Sequence, residues 1–338
     1  MLVVRPIKDS DFDVLMLCAE ESGTGFTSLP VNYELLRDRI NHSIDSFARN
    51  AISPGTESYL MVAEDTITGE IAGTTGIEAA IGLENFFYSY HISKVMHYSH
   101  RLNVHNIVEV LTFVNNYIGA TKICTLFLRP RFRGGLHGRL LSKCRFLMFA
   151  QFPDKFSDII FAEMRGVSDN EGHSPFWAWL QANFFSIEFT LADYLTGIGQ
   201  KDFIADLMPK LPIYVNLLSD EAREVIGQVH EKTRPALRLL QKEGFACRGY
   251  IDIFDAGPTV ECMRQNIDSI RRSFTARVKI AEHNSAQDYL ICNNDFQLFR
   301  AIETQPGVDQ KRNEVLIKQE VANALLVSEG DIVRLVAV

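Results

Sequence analysis

The chain has 338 residues, 46% of them hydrophobic and 22% charged, with a formal net charge of −8. That length and apolar content suit a globular protein of two or three packed units, and the acidic balance excludes a general nucleic-acid binder, which needs a basic face for phosphate. Six scattered cysteines, without a CxxC pair or a His/Cys cluster, argue against a zinc site and a disulfide framework.

The opening MLVVRPIKDSDFD has no apolar core of signal-peptide length, and no uncharged run approaches the roughly 18–20 residues that span a bilayer. A soluble cytoplasmic protein that does not enter a membrane is expected. Leu2–Val4 read as a strand, followed by a helix over DFDVLMLCAEE with Ser10 or Asp11 as its N-cap. A turn-rich SGTGFTSLP leads to a second helix in VNYELLRDRINHSIDSFA. SYLMVAED and IAGTTGIEAA, joined at TITGE, form a hairpin signal. Residues 82–120 are aromatic-rich, with NFFYSYHISKVMHY as a candidate strand.

ICTLFL is a charge-free apolar strand of the kind buried in a sheet. It runs into RPRFRGGLHGRLLSK (129–143) and a helix striped by Leu140, Cys144 and Leu147. IIFAEMRG is another buried strand, and SPFWAWLQANFF a helix with Pro175 in its first turn. SDEAREVIGQVH starts at Ser219, Thr233 caps RPALRLLQKEG, and Gly244 ends that helix. FACRGYIDIFDAGP alternates as a strand. From about Phe274 the text changes to short strands with polar turns, a small β module.

Residues 129–145 hold six Arg/Lys and no acid. A buried strand, a glycine turn flanked by arginines and a helix start together make a phosphate-binding device. The spacing fits neither the nucleotide loop GxxxxGK[ST] nor the dinucleotide GxGxxG. A plain basic turn between strand and helix is the competing reading.

Arg133-Gly134-Gly135-Leu136-His137-Gly138 resembles the coenzyme A loop of the Gcn5-related acyltransferase superfamily, with Leu136 where the middle glycine is expected. TSLP (27–30), CTLFL (124–128), LLSK (140–143), AEMRG (162–166), SPFW (174–177), GIGQKDFIADLMPKLPIY (197–214), VIGQVH (225–230) and YIDIFDAGP (250–258) are more specifically similar to the arginine N-succinyltransferase family. The resemblance implies an α+β fold, a mixed sheet flanked by helices. It implies an acyltransferase domain with the coenzyme A loop (1–190), a second acyltransferase-like half carrying the catalytic histidine (191–275) and the β module (276–338). It also implies a splayed strand at Cys124–Leu128 whose backbone pairs with the acyl carrier.

The implied reaction moves the succinyl group of succinyl-CoA to the α-amine of L-arginine in a ternary complex. It is the first step of arginine catabolism by the succinyltransferase route. Succinyl-CoA is then a co-substrate, with no metal and no permanently bound cofactor. Alternatives are a subunit of a hetero-oligomeric arginine/ornithine succinyltransferase and a non-catalytic acyl-CoA or amino-acid sensor; a homo- or hetero-oligomer fits either transferase reading. An amine attacks a thioester only as the free base, so a proton must leave it and a donor must meet the departing thiolate.

His230 takes the proton-transfer role by resemblance alone; by its residues it reads as a helix-end histidine facing the dipole. Leu126, with Phe127 and Leu128, contacts succinyl-CoA through backbone, against a reading of core packing. Arg133, Gly134, Gly135 and Gly138 hold its pyrophosphate. Glu163 and Arg165 pair with each other, or else Glu163 meets the acceptor's guanidinium or amine and Arg165 the succinyl carboxylate. His173 sits in a loop that lines the acceptor pocket, and His137 is a lesser candidate at the phosphate. Trp177 and Trp179 read as core. Asp252 and Asp255 read either as guanidinium ligands or as solvated strand-end acids.

Overall fold

A computed structural model describes residues 1–23, 29–49, 51–169, 172–188, 191–192, 194–195, 202–283 and 285–338. Residues 27–28 of the TSLP block, residues 197–201 and most of the turn-rich stretch 22–30 lie outside the described residues.

Strand β1 (Leu2–Pro6) leads to helix α1 (Phe12–Ser22). Asp11 stands at the cap position, but its carboxylate turns back to Arg5 Nη1 at 2.7 Å and to the Lys8 N–H at 2.8 Å. Helix α2 (Tyr33–Ala48) begins at Asn32, whose side chain accepts the Leu35 N–H. Strands β2 (Ser58–Asp65) and β3 (Ile71–Glu78) form the expected hairpin, with Gly69 at φ +71° in its turn. The aromatic-rich segment becomes a long hairpin of β4 (Ser89–Ser99) and β5 (Val104–Val114), paired along their whole length.

Then come β6 (Thr121–Leu128), α3 (His137–Gln151), β7 (Ile159–Glu163) and α4 (Pro175–Phe184), the last capped by the Ser174 hydroxyl. They are followed by α5 (Asp202–Leu207), β8 (Ile213–Tyr214), α6 (Asp220–Glu224), α7 (Arg234–Lys242), β9 (Ala246–Ile251), β10 (Pro258–Met263) and α8 (Asp268–Arg272). The C-terminal strands are β11 (Phe274–Ile280), β12 (Tyr289–Cys292), β13 (Ala301–Thr304), β14 (Gly307–Asp309), β15 (Glu314–Ile317) and β16 (Ile332–Ala337). A helix not expected from the sequence, α9 (Gln319–Leu325), lies among them and buries Val321, Ala322 and Leu325.

Among the described residues the strands form one mixed sheet in the order β14-β15-β11-β16-β12-β13-β1-β2-β3-β6-β7-β10-β9-β4-β5-β8. The closing strands β9 and β10, far along the chain, therefore sit beside β7 in the same sheet as β1–β3. The C-terminal strands join its other flank, where Val3 and Val4 of β1 pair with Ile302 and Ala301 of β13. Helix α3 covers one face with Leu140, Cys144 and Leu147, as its stripe predicts. Helices α1 and α2 cover the other through Leu15, Leu36 and Ile40. Each such side chain contributes about 1.5–3 kcal/mol when fully buried.

Three readings of the sequence are corrected by packing. FACRGYIDIFDAGP is not one strand: β9 stops at Ile251, because the Asp252 carboxylate captures the N–H groups of Phe254 and Asp255 and closes a turn. The helix begun at Ser219 stops at Glu224, and Gly227 at φ +70° donates its N–H to Ala256 O instead. His230 is therefore not at a helix C-terminus. Thr233 holds the position before α7 without a side-chain cap bond.

Candidate active site

The site is built around a fork in the sheet. Strands β6 and β7 run parallel, but they pair only at Thr121 with Ile160 and Lys122 with Phe161. On its other edge β7 pairs with β10 along its whole length, from Ile159 with Met263 to Glu163 with Thr259. The β7-facing edge of residues 123–128 has no strand partner among the described residues. On its other edge β6 is bulged: its register against β3 shifts between Thr74 and Gly76, and Thr125 is held at φ +54°. That conformation is costly for a β-branched residue. The Thr74 hydroxyl supports it by donating to Thr125 O at 2.9 Å.

The bulge switches the side-chain alternation, so Ile123, Leu126 and Leu128 pack toward one core while Phe127 packs into the core under α1 and α2. Gly73 makes the close approach possible, since a Cβ there would stand 2.2 Å from Phe127 O. The expectation of an irregular, splayed strand at 124–128 thus has a geometric counterpart.

The chain then crosses Gly134 at φ +133° and Gly135 at φ +53°, both glycine conformations, and enters α3. No side chain caps that helix, and Leu140 is the residue whose N–H first reaches back, to Leu136 O. The basic run divides on folding. Arg129 pairs with Glu21 at 3.0 Å, Arg131 with Glu70, and Lys143 with Glu243 at 2.9 Å. Arg145 is buried, and desolvation pulls its guanidinium down to about 10. Of the six cations only Arg133 and Arg139 are neither buried nor paired with an acid among the described residues, and Arg133 Nε donates to Leu128 O at 3.1 Å. His137 turns Nδ1 to Phe132 O at 2.9 Å.

Beside the fork lies a cavity of about 470 Å³. Its walls include Arg39 from α2, Glu78 from β3, Lys122 and Cys124 from β6, Glu163 from β7 and Asp252 from the turn after β9. Lys122 Nζ stands 2.6 Å from Glu163 Oε2, and Arg39 Nη2 stands 3.8 Å from Glu78 Oε1. Burial, then Asp255 and Glu163, hold the Asp252 carboxyl well above the usual carboxylate range. Asp255 is fixed differently. Its carboxylate accepts the N–H of Gly166 at 2.6 Å and of Gly257 at 2.8 Å, clamping the end of β7 to the β9–β10 turn.

Of the residues singled out from the sequence, Glu163 lines the cavity, but it pairs with Lys122 and not with Arg165. Arg165 Nη2 donates to Ser168 Oγ at 2.9 Å. The His230 N–H donates to Arg165 O at 2.9 Å, which seats the histidine at the end of β7. Its neighbour Val229 packs on the same core as Leu126 and Leu128. Desolvation, Arg165 and Lys232 all push the His230 imidazole below its ordinary value, which favours its neutral form. His173 is exposed and turned to Asp169, 2.9 Å from its carboxylate, and does not line the cavity. Trp177 and Asp255 are buried, while Asp252 is half-buried and lines the cavity.

A family model described as "Arginine N-succinyltransferase beta subunit" matches residues 2–269, and one described as the C-terminal domain of that subunit matches residues 272–337. The chain belongs to the arginine N-succinyltransferase family. An arginine N-succinyltransferase of Escherichia coli (strain 55989 / EAEC) is 44% identical over 99% of this chain and 97% of its own. The same identity and coverage hold for the one from Escherichia coli strain K12 / DH10B. Among solved structures, arginine/ornithine succinyltransferase subunit AI from Pseudomonas aeruginosa superimposes with a TM-score of 0.92 at 37% identity, covering 100% of this chain and 98% of that one.

Within the arginine N-succinyltransferase family frame, sequence reasoning missed Lys122, Arg39 and Glu78. Each lies outside the motif blocks, and its relevance is a matter of which cavity it faces. The one available signal was Lys122, a lone charge at the start of the apolar β6. No helix among the described residues is long and apolar enough to cross a membrane, and no group of three or more His, Cys, Asp or Glu among them could hold a metal ion.

Proposed function

We propose that the chain transfers the succinyl group of succinyl-CoA to the α-amine of L-arginine, giving N2-succinyl-L-arginine and coenzyme A. This is the first step of arginine catabolism by the succinyltransferase route. The observation that carries the reading is the parting of β6 from β7 after two paired residues, directly before the glycine loop. An acyl carrier laid along Leu126–Leu128 completes the open strand edge, and its amides take the place of the missing strand. Its pyrophosphate meets Arg133, the backbone of Gly134 and Gly135, and the first turn of α3 around Gly138.

Main-chain N–H groups of β6 polarise the thioester carbonyl. The amine nitrogen attacks that carbon, the C–S bond breaks, and the amine's surplus proton passes to the neutral His230 imidazole and on to the coenzyme A sulfur. Holding both substrates together supplies much of the rate. The proposal includes a cytoplasmic location and a division into an acyltransferase segment (1–190), a segment carrying His230 (191–275) and a C-terminal β module (276–338).

The test is to incubate the purified protein with arginine and succinyl-CoA and follow thiol release. Release dependent on arginine is expected; binding of both without release would make the chain a sensor. A second reading has one observation behind it: the Pseudomonas aeruginosa relative is a subunit of an arginine/ornithine succinyltransferase. Repeating the assay with ornithine, and measuring the assembly's mass, separates the two.

A further inference from the structure

Three cavity carboxylates flank the fork: Glu78 on β3, Glu163 on β7 and Asp252 after β9. Glu78 faces Arg39, and Glu163 faces Lys122. Asp252 has no cation within salt-bridge distance among the described residues. Its Oδ1 accepts the N–H of Phe254 at 2.7 Å and of Asp255 at 3.1 Å, which fixes the carboxyl plane. Its second oxygen has no hydrogen-bond partner among the described residues. A half-buried carboxylate crowded by Asp255 and Glu163 gains more from an arriving cation than one already paired.

The field of the cavity points the same way. Asp38, Glu57 and Glu84 also line it, against Arg39 and Lys122 as its Lys/Arg cations.

We propose that Asp252 receives the cationic side chain of the acceptor amino acid and thereby sets the preference for basic over neutral acceptors. The proposal rests on the transferase reading above and deepens it. Arg39 and Lys122 stand in the same cavity for the acceptor's carboxylate. The acceptor's guanidinium adds a charge-assisted hydrogen bond to an oxygen whose orientation is already set, so little is lost in ordering it.

The experiment compares the wild type with Asp252→Asn, which keeps the volume and the accepting Oδ1, and with Asp252→Glu. Arginine is set against citrulline, its neutral isostere. In Asp252→Asn the KM for arginine should rise about 10- to 100-fold while the KM for succinyl-CoA stays within about twofold. The arginine-over-citrulline ratio should collapse by the same factor, and Asp252→Glu should recover part of it. An arginine KM within about twofold of wild type, or equal losses for arginine and citrulline, would overturn the proposal. Calorimetric titration with arginine alone gives a second readout independent of turnover. If the wild type releases no thiol, the transferase reading fails, yet weaker arginine binding by Asp252→Asn would still support the role of Asp252, and equal binding would overturn it.

Discussion

Lys122 and Glu163 form a salt bridge of 2.6 Å across the fork, where the pairing of β6 with β7 ends at Lys122 and Phe161. The ammonium also sits 5.2 Å from the centre of the Phe87 ring. Burial pulls its titration down, Glu163 and Glu78 more than reverse that, and Lys122 stays charged. The pair ties the two strands together where their main chains separate.

Removing one partner should therefore cost more than removing both. Lys122→Met is expected to lower stability by about 1–3 kcal/mol, a value discounted because both side chains are one-fifth exposed. Adding Glu163→Gln should restore most of it. Urea unfolding of the single and double variants measures the difference, and additive losses would contradict the linkage.

His230 lies below its ordinary value, so a rate that needs neutral imidazole should persist to lower pH than free histidine would allow. Its acid limb in kcat/KM should fall below about 6.5. The stability sign agrees. Between the folded value and the unfolded one the unfolded chain binds more protons, so this contribution is lost as pH falls through the folded value. Lys232→Gln removes one of the depressing cations and should move the limb upward. His230→Ala should lower kcat by about 10²- to 10⁴-fold with little change in the KM for succinyl-CoA; an unaltered kcat would remove it from the mechanism.

Arg133 is one of the two basic-run side chains that are neither buried nor paired with an acid among the described residues. Arg133→Glu should raise the KM for succinyl-CoA about tenfold or more and leave that for arginine unchanged. Initial-rate kinetics with each substrate varied decides this. An effect confined to arginine would place the pyrophosphate elsewhere.

Gly73 tests the bulge itself. In Gly73→Ala the new methyl would meet Phe127 O at 2.2 Å, so β6 must move. A loss of about 1–3 kcal/mol and a weakened acyl donor are expected together. Loss of stability with unaltered donor binding would show that the β6 geometry does not matter to the carrier.

Much of the fold was legible because its signals are local. The stripe Leu140–Cys144–Leu147 specifies α3, Thr68-Gly69 the β2–β3 turn, and Ser174 with Pro175 the start of α4. The α6 helix was overread because its terminator is a bond from Gly227 to Ala256, a partner 29 positions away that no window around Glu224 contains. The basic loop was overread for the same reason. Glu21, Glu70 and Glu243 neutralise it from other elements.

The amino-acid order by itself determined which stretches coil or extend, where glycines permit a tight turn, and which blocks mark the family. All of that depends on neighbours a few bonds apart. Folding decided which charges are spent on one another and which remain for a ligand. Lys122 meets Glu163 from 41 positions away, and the sheet order brings Asp252, just after β9, to the same cavity with no cation within salt-bridge distance among the described residues. Coulomb and desolvation energies depend on distance and burial in space, and those exist only once the chain has closed.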